Sequence, residues 1–267
     1  MPEQPSAPSA DLAFALELAD LADSISLPRF RAADLRVDTK PDRTFVTDAD
    51  RAVEDALRGR IEAERPDDGF FGEESGREDK GARRWILDPI DGTSNFLRGV
   101  PNWATLIALE VDGVQTVGVV SAPGFGMRWW AEIGGGAWGQ EVGKDPRQLH
   151  VSGVSDLEHA SLSFQSIEQW RLAGYLDSLL ALEQATWRDR AYGDMWSYML
   201  LAEGLVDIVA EFDVKAYDLA ALVPIVTEAG GRFTDIEGNE SAWNGSSLAT
   251  NGRLHDAVIA TVAAARK

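Results

Sequence analysis

Apolar positions fall into helix-spaced and strand-spaced runs whose order already outlines the chain. From Asp11 the run DLAFALELADLADSI places its apolar residues at helical intervals behind an acidic start, predicting a helix that ends before Pro28. Thr47 stands where an N-cap belongs, ahead of a second helical pattern reaching about Glu64, with Asp50 in its first turn. Residues 69–72 and 85–87 read as short buried strands. The second stops at Asp88, because Pro89 has no N–H to give to a ladder. The polar residues 76–84 between them read as a loop. From Trp103 the pattern turns to sheet: WATLIALEV and QTVGVVSA flank Asp112-Gly113, a hairpin signal, and MRWWAEI and GGAWGQ extend the meander. Trp129 and Trp130 read there as packing rather than as a ligand platform.

The rest of the chain alternates strand and helix. Strands are expected at 161–165, 186–188 and 206–210, with another ending at Ala249 and Thr250. Helices are expected at 170–182, from Asp194 to about Glu203, at 214–229 and at 254–264, the third closed by Gly230-Gly231. Residues 1–9 are rich in Pro and Ser and read as a disordered tail. The expected organisation is that tail, an α+β half over 10–140 and an α/β half over 141–267. No repeat or low-complexity linker divides the halves.

Composition narrows the function classes. A chain of 267 residues with 45% hydrophobic content and nine Trp can bury a substantial core. Against 25 basic residues stand 44 acidic ones, a formal charge of -19, which argues against nucleic acid as a partner. No apolar run is long enough to span a bilayer, and the start lacks the basic-then-apolar order of a signal peptide. With no Cys there is no disulfide, thiolate metal site or thiol nucleophile, and a cytoplasmic protein is expected. So acidic a protein needs cations to receive a phosphate.

Candidate chemistry concentrates in Trp85-Ile86-Leu87-Asp88-Pro89-Ile90-Asp91-Gly92-Thr93-Ser94-Asn95-Phe96. Asp88 and Asp91 flank a Pro-fixed bend, Gly92 permits close backbone approach to a ligand, and Thr93 or Ser94 can cap a following helical turn. Hard oxygen ligands beside backbone N–H groups suit divalent cations clamping a phosphoryl group. Taken alone, the two Asp read equally well as solvated turn residues. Likewise Glu73-Glu74 reads as a solvated turn, and Asp50 as a carboxylate favoured by a helix dipole.

Together, this stretch, Gly72-Glu73-Glu74 and Tyr217-Asp218-Leu219-Ala220-Ala221 closely resemble the three signatures of the inositol monophosphatase superfamily, the Mg²⁺-dependent, lithium-sensitive phosphatases. They stand in the family's order and at family-like spacing, and the resemblance runs from about residue 10 to the C-terminus. It implies a layered α-β-α-β-α sandwich of mixed α/β class and a homodimer. It also implies one metal on Glu73, Asp88 and the Ile90 carbonyl, and a second on Asp88, Asp91 and Asp218. Two or three Mg²⁺ ions are expected, with Mn²⁺ as a substitute. By the same resemblance Glu73 and Thr93, with Asp50 behind Thr93, orient a metal-activated water for in-line attack on a phosphate monoester. Gly92 and Thr93 hold the phosphate, and Glu74 and Lys40 support the site. Tyr217 departs from the Trp usual in the family, which keeps an aromatic there but changes local packing.

Several stretches are most similar to the histidinol-phosphate phosphatases of actinobacteria within that superfamily. They are Lys40-Pro41-Asp42 with 46–50, Arg98-Gly99-Val100-Pro101, Ser121-Ala122-Pro123 with Arg128-Trp129-Trp130, 160–164, Arg190-Ala191-Tyr192-Gly193-Asp194, and Asn251-Gly252 with Leu254-His255-Asp256. A substrate carrying an ammonium and an imidazole calls for carboxylates, and Asp194 and Glu211 are the candidates, with Arg190 pairing Asp194 or touching substrate. Asp194 reads also as a helix N-cap after Gly193, and Phe70-Phe71 and Ser75-Gly76 around the Glu pair are closer to the inositol type. The alternatives are therefore an inositol-1-phosphate phosphatase, another sugar or nucleotide phosphate phosphatase, and, more remotely, a non-catalytic metal- or phosphate-binding regulator. That last reading predicts loss of the water-positioning groups, which are present.

Overall fold

The computed structural model describes residues 5, 7–40 and 44–266. Residues 1–4 and 6 of the expected tail, and the Pro41-Asp42 pair, lie outside the described residues. Helix α1 (Ala10–Arg29) starts behind Ser9, whose hydroxyl accepts from the Leu12 amide at 3.1 Å. It outruns the expected stop. Pro28 falls in the last turn, and the helix ends one residue after it rather than before it. A short antiparallel pair that the pattern did not suggest, β1 (Val37–Thr39) and β2 (Phe45–Thr47), leads into α2 (Asp48–Glu64). Thr47 caps α2 as expected, in a capping box closed by Asp50.

The first sheet holds β3 (Gly69–Gly72), β4 (Gly76–Glu78), β5 (Arg83–Asp91), β6 (Ala104–Val111), β7 (Val114–Ala122), β8 (Met127–Glu132), β9 (Gly136–Glu141) and β10 (Arg147–Gln148), with α3 (Thr93–Arg98) after β5. Its order is β10-β9-β8-β7-β6-β5-β3-β4, and the β3–β5 pair is parallel while the rest are antiparallel. The expected loop at 76–84 is in part β4, which folds back on β3. The Asp112-Gly113 turn has both residues at positive φ, 51° and 82°, as the expected tight hairpin requires.

β5 does not stop at Asp88. It continues through Pro89 to Asp91, and its register on β6 moves from Asp88 opposite Leu106 to Asp91 opposite Ala104. Three steps on one strand against two on the other make a β-bulge, which is where a central strand tolerates a residue without an N–H. The Thr105 hydroxyl donates to the Pro89 carbonyl at 2.8 Å.

The second sheet joins β11 (Ser161–Ser163), β12 (Arg188–Arg190), β13 (Ile208–Phe212), β14 (Arg232–Thr234) and β15 (Ser246–Thr250) in the order β12-β11-β13-β15-β14. Between and after these strands come α4 (Ile167–Leu172), α5 (Leu176–Ala185), α6 (Asp194–Ala202), α7 (Ala216–Leu219), α8 (Leu222–Glu228) and α9 (His255–Ala265). Two expected helices are each broken in two. The one over 170–182 is interrupted at Gly174, which sits at φ 81°. The one over 214–229 is interrupted at Ala220-Ala221, because a continuous helix would drive Pro224 into the carbonyl one turn earlier. With the break, Pro224 falls in the first turn of α8.

Side chains sort into five layers. Leu18, Val53 and Leu57 of α1 and α2 cover Trp85, Leu87 and Val119 on one face of the first sheet. Its other face, with Ile86, Val120 and Trp129, packs on α6 and α8, which also bury Val209, Phe233 and Ala249 of the second sheet. The far face of that sheet lies under Trp170, Leu182 and Val258 of α4, α5 and α9. This is the expected α-β-α-β-α sandwich. Both Trp129 and Trp130 are packing residues, on opposite faces of the first sheet.

Gly118 of β7 lets the broken helix approach: a Cβ there would lie 2.1 Å from the Ala221 carbonyl oxygen and 2.7 Å from Pro224 Cγ. Neither backbone nor ring can swing aside, so Gly118→Ala is expected to cost about 2 kcal/mol or more. The check is a fall in the urea midpoint with unchanged slope.

Candidate metal and phosphate site

In a regular strand, residues three apart face opposite ways. The extra residue of the Pro89 bulge cancels that alternation, so Asp88 and Asp91 reach the same place. They meet Asp218, with ligand atoms of the three within 4.8 Å of one another. Each is oriented by a backbone amide. Asp88 accepts from Ile90 N at 3.0 Å, Asp91 from Met195 N in the first turn of α6 at 2.8 Å, and Asp218 from Lys215 N at the start of α7 at 2.6 Å. Burial, then repulsion from neighbouring carboxylates (Glu73 foremost for Asp88, Asp194 foremost for Asp91), pushes both well above the usual carboxylate range. Burial likewise raises Asp218 to about 6.

A second acidic group brings Asp50, Glu73 and Glu74 together. Asp50 is fully buried. One of its oxygens accepts from the Thr47 amide and hydroxyl at 2.8 and 2.5 Å, the other from the Thr93 hydroxyl at 3.2 Å. The Thr93 hydroxyl is also 3.0 Å from the Ile90 carbonyl, so its single proton is committed inward and its lone pairs are left to accept. Lys40 lies 2.8 Å from Glu73 and 2.6 Å from Glu74. Burial would lower the Lys40 ammonium, but the two carboxylates outweigh it and its pKa is raised. Glu73, raised first by burial and eased by Lys40, reaches about 7.

One cavity of about 350 Å³ is lined by Glu73, Asp88, Asp91, Gly92, Thr93 and Asp218 together with Asp194, Tyr198 and Glu211. Gly92, not Thr93 or Ser94, occupies the cap position of α3, at φ 80°. Asp194 is not a cap either. Gly193 holds that position, and Asp194 follows it at φ 50°, a left-handed conformation uncommon outside glycine. Its carboxylate accepts from Asn95 at 2.7 Å, Gln165 at 3.0 Å and Asn102 at 3.4 Å. Its own amide donates to Gln165 at 2.8 Å. Glu211, buried in β13, accepts from the Tyr198 hydroxyl at 3.0 Å, and its other oxygen is buried without a partner.

Arg190 does not join them. It is exposed on the edge strand β12, donates to the neighbouring Asp189 carbonyl at 2.6 Å, and lines no part of the cavity. Sequence reasoning missed Gln165, Asn95 and Glu54. Glu54 accepts from the amides of Glu74 and Ser75 and lies one helical turn after Asp50, a spacing that was readable. Gln165 carried no such signal. Tyr217, the departure from the family pattern, packs on Phe71 with ring centroids 5.6 Å apart.

The donor set fits a hard divalent cation: clustered carboxylates, with no thiol. Buried acids whose charges raise one another's pKa are short of positive charge, which a bound cation supplies.

Comparison with known proteins agrees with this geometry. Residues 8–267 match the model of the inositol monophosphatase family. The chain is 54% identical to a histidinol-phosphatase of Mycobacterium tuberculosis over 93% of its own length and 96% of the relative's. It is 49% identical to a histidinol-phosphatase of Streptomyces coelicolor, over 93% and 95%. Among solved structures, the Thermotoga maritima IMPase superposes with a TM-score of 0.84 at 30% identity, covering 96% of this chain and 98% of that one. The SuhB extragenic suppressor protein of Bartonella henselae gives 0.85 at 28% identity, over 95% and 98%. Motifs, layered fold and whole-length similarity converge, and the chain belongs to the inositol monophosphatase family as one of its phosphatases.

Proposed function

We propose that the protein hydrolyses L-histidinol phosphate to L-histidinol and phosphate, a step of histidine biosynthesis, with Mg²⁺ as cofactor. The observation that carries the substrate choice is Glu211: a buried carboxylate in the cavity lining, one oxygen unpartnered, with Asp194 in the same lining. A cationic amino group favours the ionised form of both acids and satisfies it, whereas a neutral polyol gives that form no counter-charge. The curated relatives named above support the same substrate. The wider reading, from family resemblance, is a cytoplasmic homodimer. Among the described residues, no helix is long and apolar enough to cross a membrane. A second reading, inositol 1-phosphate, is favoured by Phe70-Phe71 before Gly72 and by the IMPase neighbour.

Glu73, Asp88, the Ile90 carbonyl, Asp91 and Asp218 would hold Mg²⁺, or Mn²⁺ in its place. Bound there, the cations neutralise the phosphate and stabilise the charge that develops in phosphoryl transfer. Thr93 accepts a hydrogen bond from the attacking water, since Asp50 and the Ile90 carbonyl occupy its own proton. Glu73 shares that water and aligns it for in-line attack. The Gly92 and Thr93 amides receive phosphate oxygens, and Lys40 and Glu74 keep Glu73 in place.

Phosphate release from L-histidinol phosphate is expected to vanish with chelator and return with Mg²⁺. Metal-independent release would overturn the mechanism. Asp194→Asn preserves the left-handed backbone that Ala would strain. It is expected to lower kcat/KM for L-histidinol phosphate about 10- to 100-fold, the worth of a charge-assisted hydrogen bond, and for inositol 1-phosphate far less. Equal losses on both substrates would sink the pocket assignment.

Burial raises Glu211 from 4.5 to about 8. The folded protein therefore keeps a proton that the unfolded chain loses above about 4.5. Stability from this group is complete at low pH and declines as pH rises through about 8. Glu211→Gln has no such slope. In chelator, its stability relative to the parent, read from urea midpoints, is expected to improve steadily between about pH 5 and 8. A constant difference across that range would contradict the assignment.

A further inference from the structure

Glu54 is only 1% exposed, lines no part of the cavity and pairs with no cation among the described residues, yet both of its oxygens are used. One accepts from Glu74 N at 2.9 Å and the other from Ser75 N at 2.6 Å. These amides belong to the tight turn Glu73-Glu74-Ser75 that joins β3 to β4, where Gly72 pairs with Gly76. Gly72 leaves the space the carboxylate needs: a Cβ there would lie 2.5 Å from Glu54 Cδ and 2.6 Å from each oxygen. Four residues earlier on α2, Asp50 holds the Thr93 hydroxyl. One face of one helix thus fixes both halves of the expected water-positioning pair.

We propose that Glu54 is a positioning residue for the metal site. It suspends the Glu73-bearing turn from α2, so that Glu73 keeps its place relative to Thr93 and the Asp88 group. The turn is partly solvent-exposed, so water can replace the lost amide partners if the tie is cut. Cutting it therefore lowers stability without unfolding the protein. It costs the metal site its aim, because β3 is paired with β5 only as far as Gly72, and Glu73 just beyond it loses the tie of its turn to α2. The inference rests on the reading of Glu73 as a metal ligand.

The test is Mn²⁺ binding to the full chain, followed by its paramagnetic resonance signal, beside urea unfolding. Glu54→Gln keeps the volume but turns an NH₂ toward an N–H. A tenfold or greater weakening of Mn²⁺ binding is expected, with a lowered urea midpoint but a single transition that leaves the protein folded under the binding conditions. The Mg²⁺ concentration for half-maximal activity should rise in parallel, while KM for the phosphate ester at saturating Mg²⁺ stays within about twofold. Gly72→Ala, which pushes on the carboxylate, should weaken Mn²⁺ binding in the parent but add little in a Glu54→Ala background, where the methyl has room. Unchanged Mn²⁺ binding in Glu54→Gln, or the same Gly72→Ala effect in both backgrounds, overturns the proposal. Glu73→Gln separates the two levels. If it binds Mn²⁺ as the parent does, the metal reading of Glu73 falls and this proposal with it. If it loses Mn²⁺ while Glu54→Gln does not, this proposal alone falls.

Discussion

A proline in the middle of a central strand sets the geometry on which the rest of the site depends. Pro89 can be held within β5 only at a bulge, and the bulge puts two carboxylates three residues apart on the same side. Without it, one of Asp88 and Asp91 would point into the layer beneath α1 and α2, among Trp85 and Leu87. The surrounding contacts serve that irregularity. Thr105 takes up the proline carbonyl, the Ile90 amide turns back to Asp88, and the first turn of α6 supplies an amide to Asp91.

The cost of the arrangement is buried negative charge. Asp50, Glu73, Asp88, Asp91, Asp194, Glu211 and Asp218 are all held above their ordinary pKa, with burial the leading cause in each case. Lys40 relieves Glu73 and Glu74, while the Asp88 group is served by backbone dipoles that orient it without neutralising it. A fold that concentrates acids in this way stores affinity for positive charge. In the reading proposed here that affinity serves divalent cations at Asp88, Asp91 and Asp218, and the amino group of the substrate at Asp194 and Glu211.

Asp194 and helix α3 are mechanically joined. Asn95 on α3, two residues after Thr93, donates to Asp194, and Gln165 grips Asp194 by both its carboxylate and its backbone amide. The clamp sustains a left-handed aspartate that local preference disfavours. Strain at Asp194 is thus maintained by groups from α3 and from the loop after β11, so in the reading proposed here substrate recognition is tied to the same frame as phosphate binding.

How much of this was legible in the chain depends on the range of the interaction. Local rules settled the capped start of α2 at Thr47, the Asp112-Gly113 hairpin and the alternating strands after Trp103, because their hydrogen bonds and burial involve near neighbours. Motif spacing marked Glu73, Asp88, Asp91 and Asp218 as a set. The tertiary structure decided where the rules conflict or where partners are distant. Pro89 reads locally as a strand end, and it is the pairing with β6 that carries the strand past it as a bulge. The helix over 214–229 looks continuous until Pro224 and the close approach of Gly118 require a break. Arg190 and Asp194 are near in sequence, yet the edge position of β12 turns one outward while Gln165, 29 residues away, draws the other into the cavity. Short-range preferences are written in the residues themselves. The direction a side chain takes at a bulge, a break or an edge is written only in what packs against it.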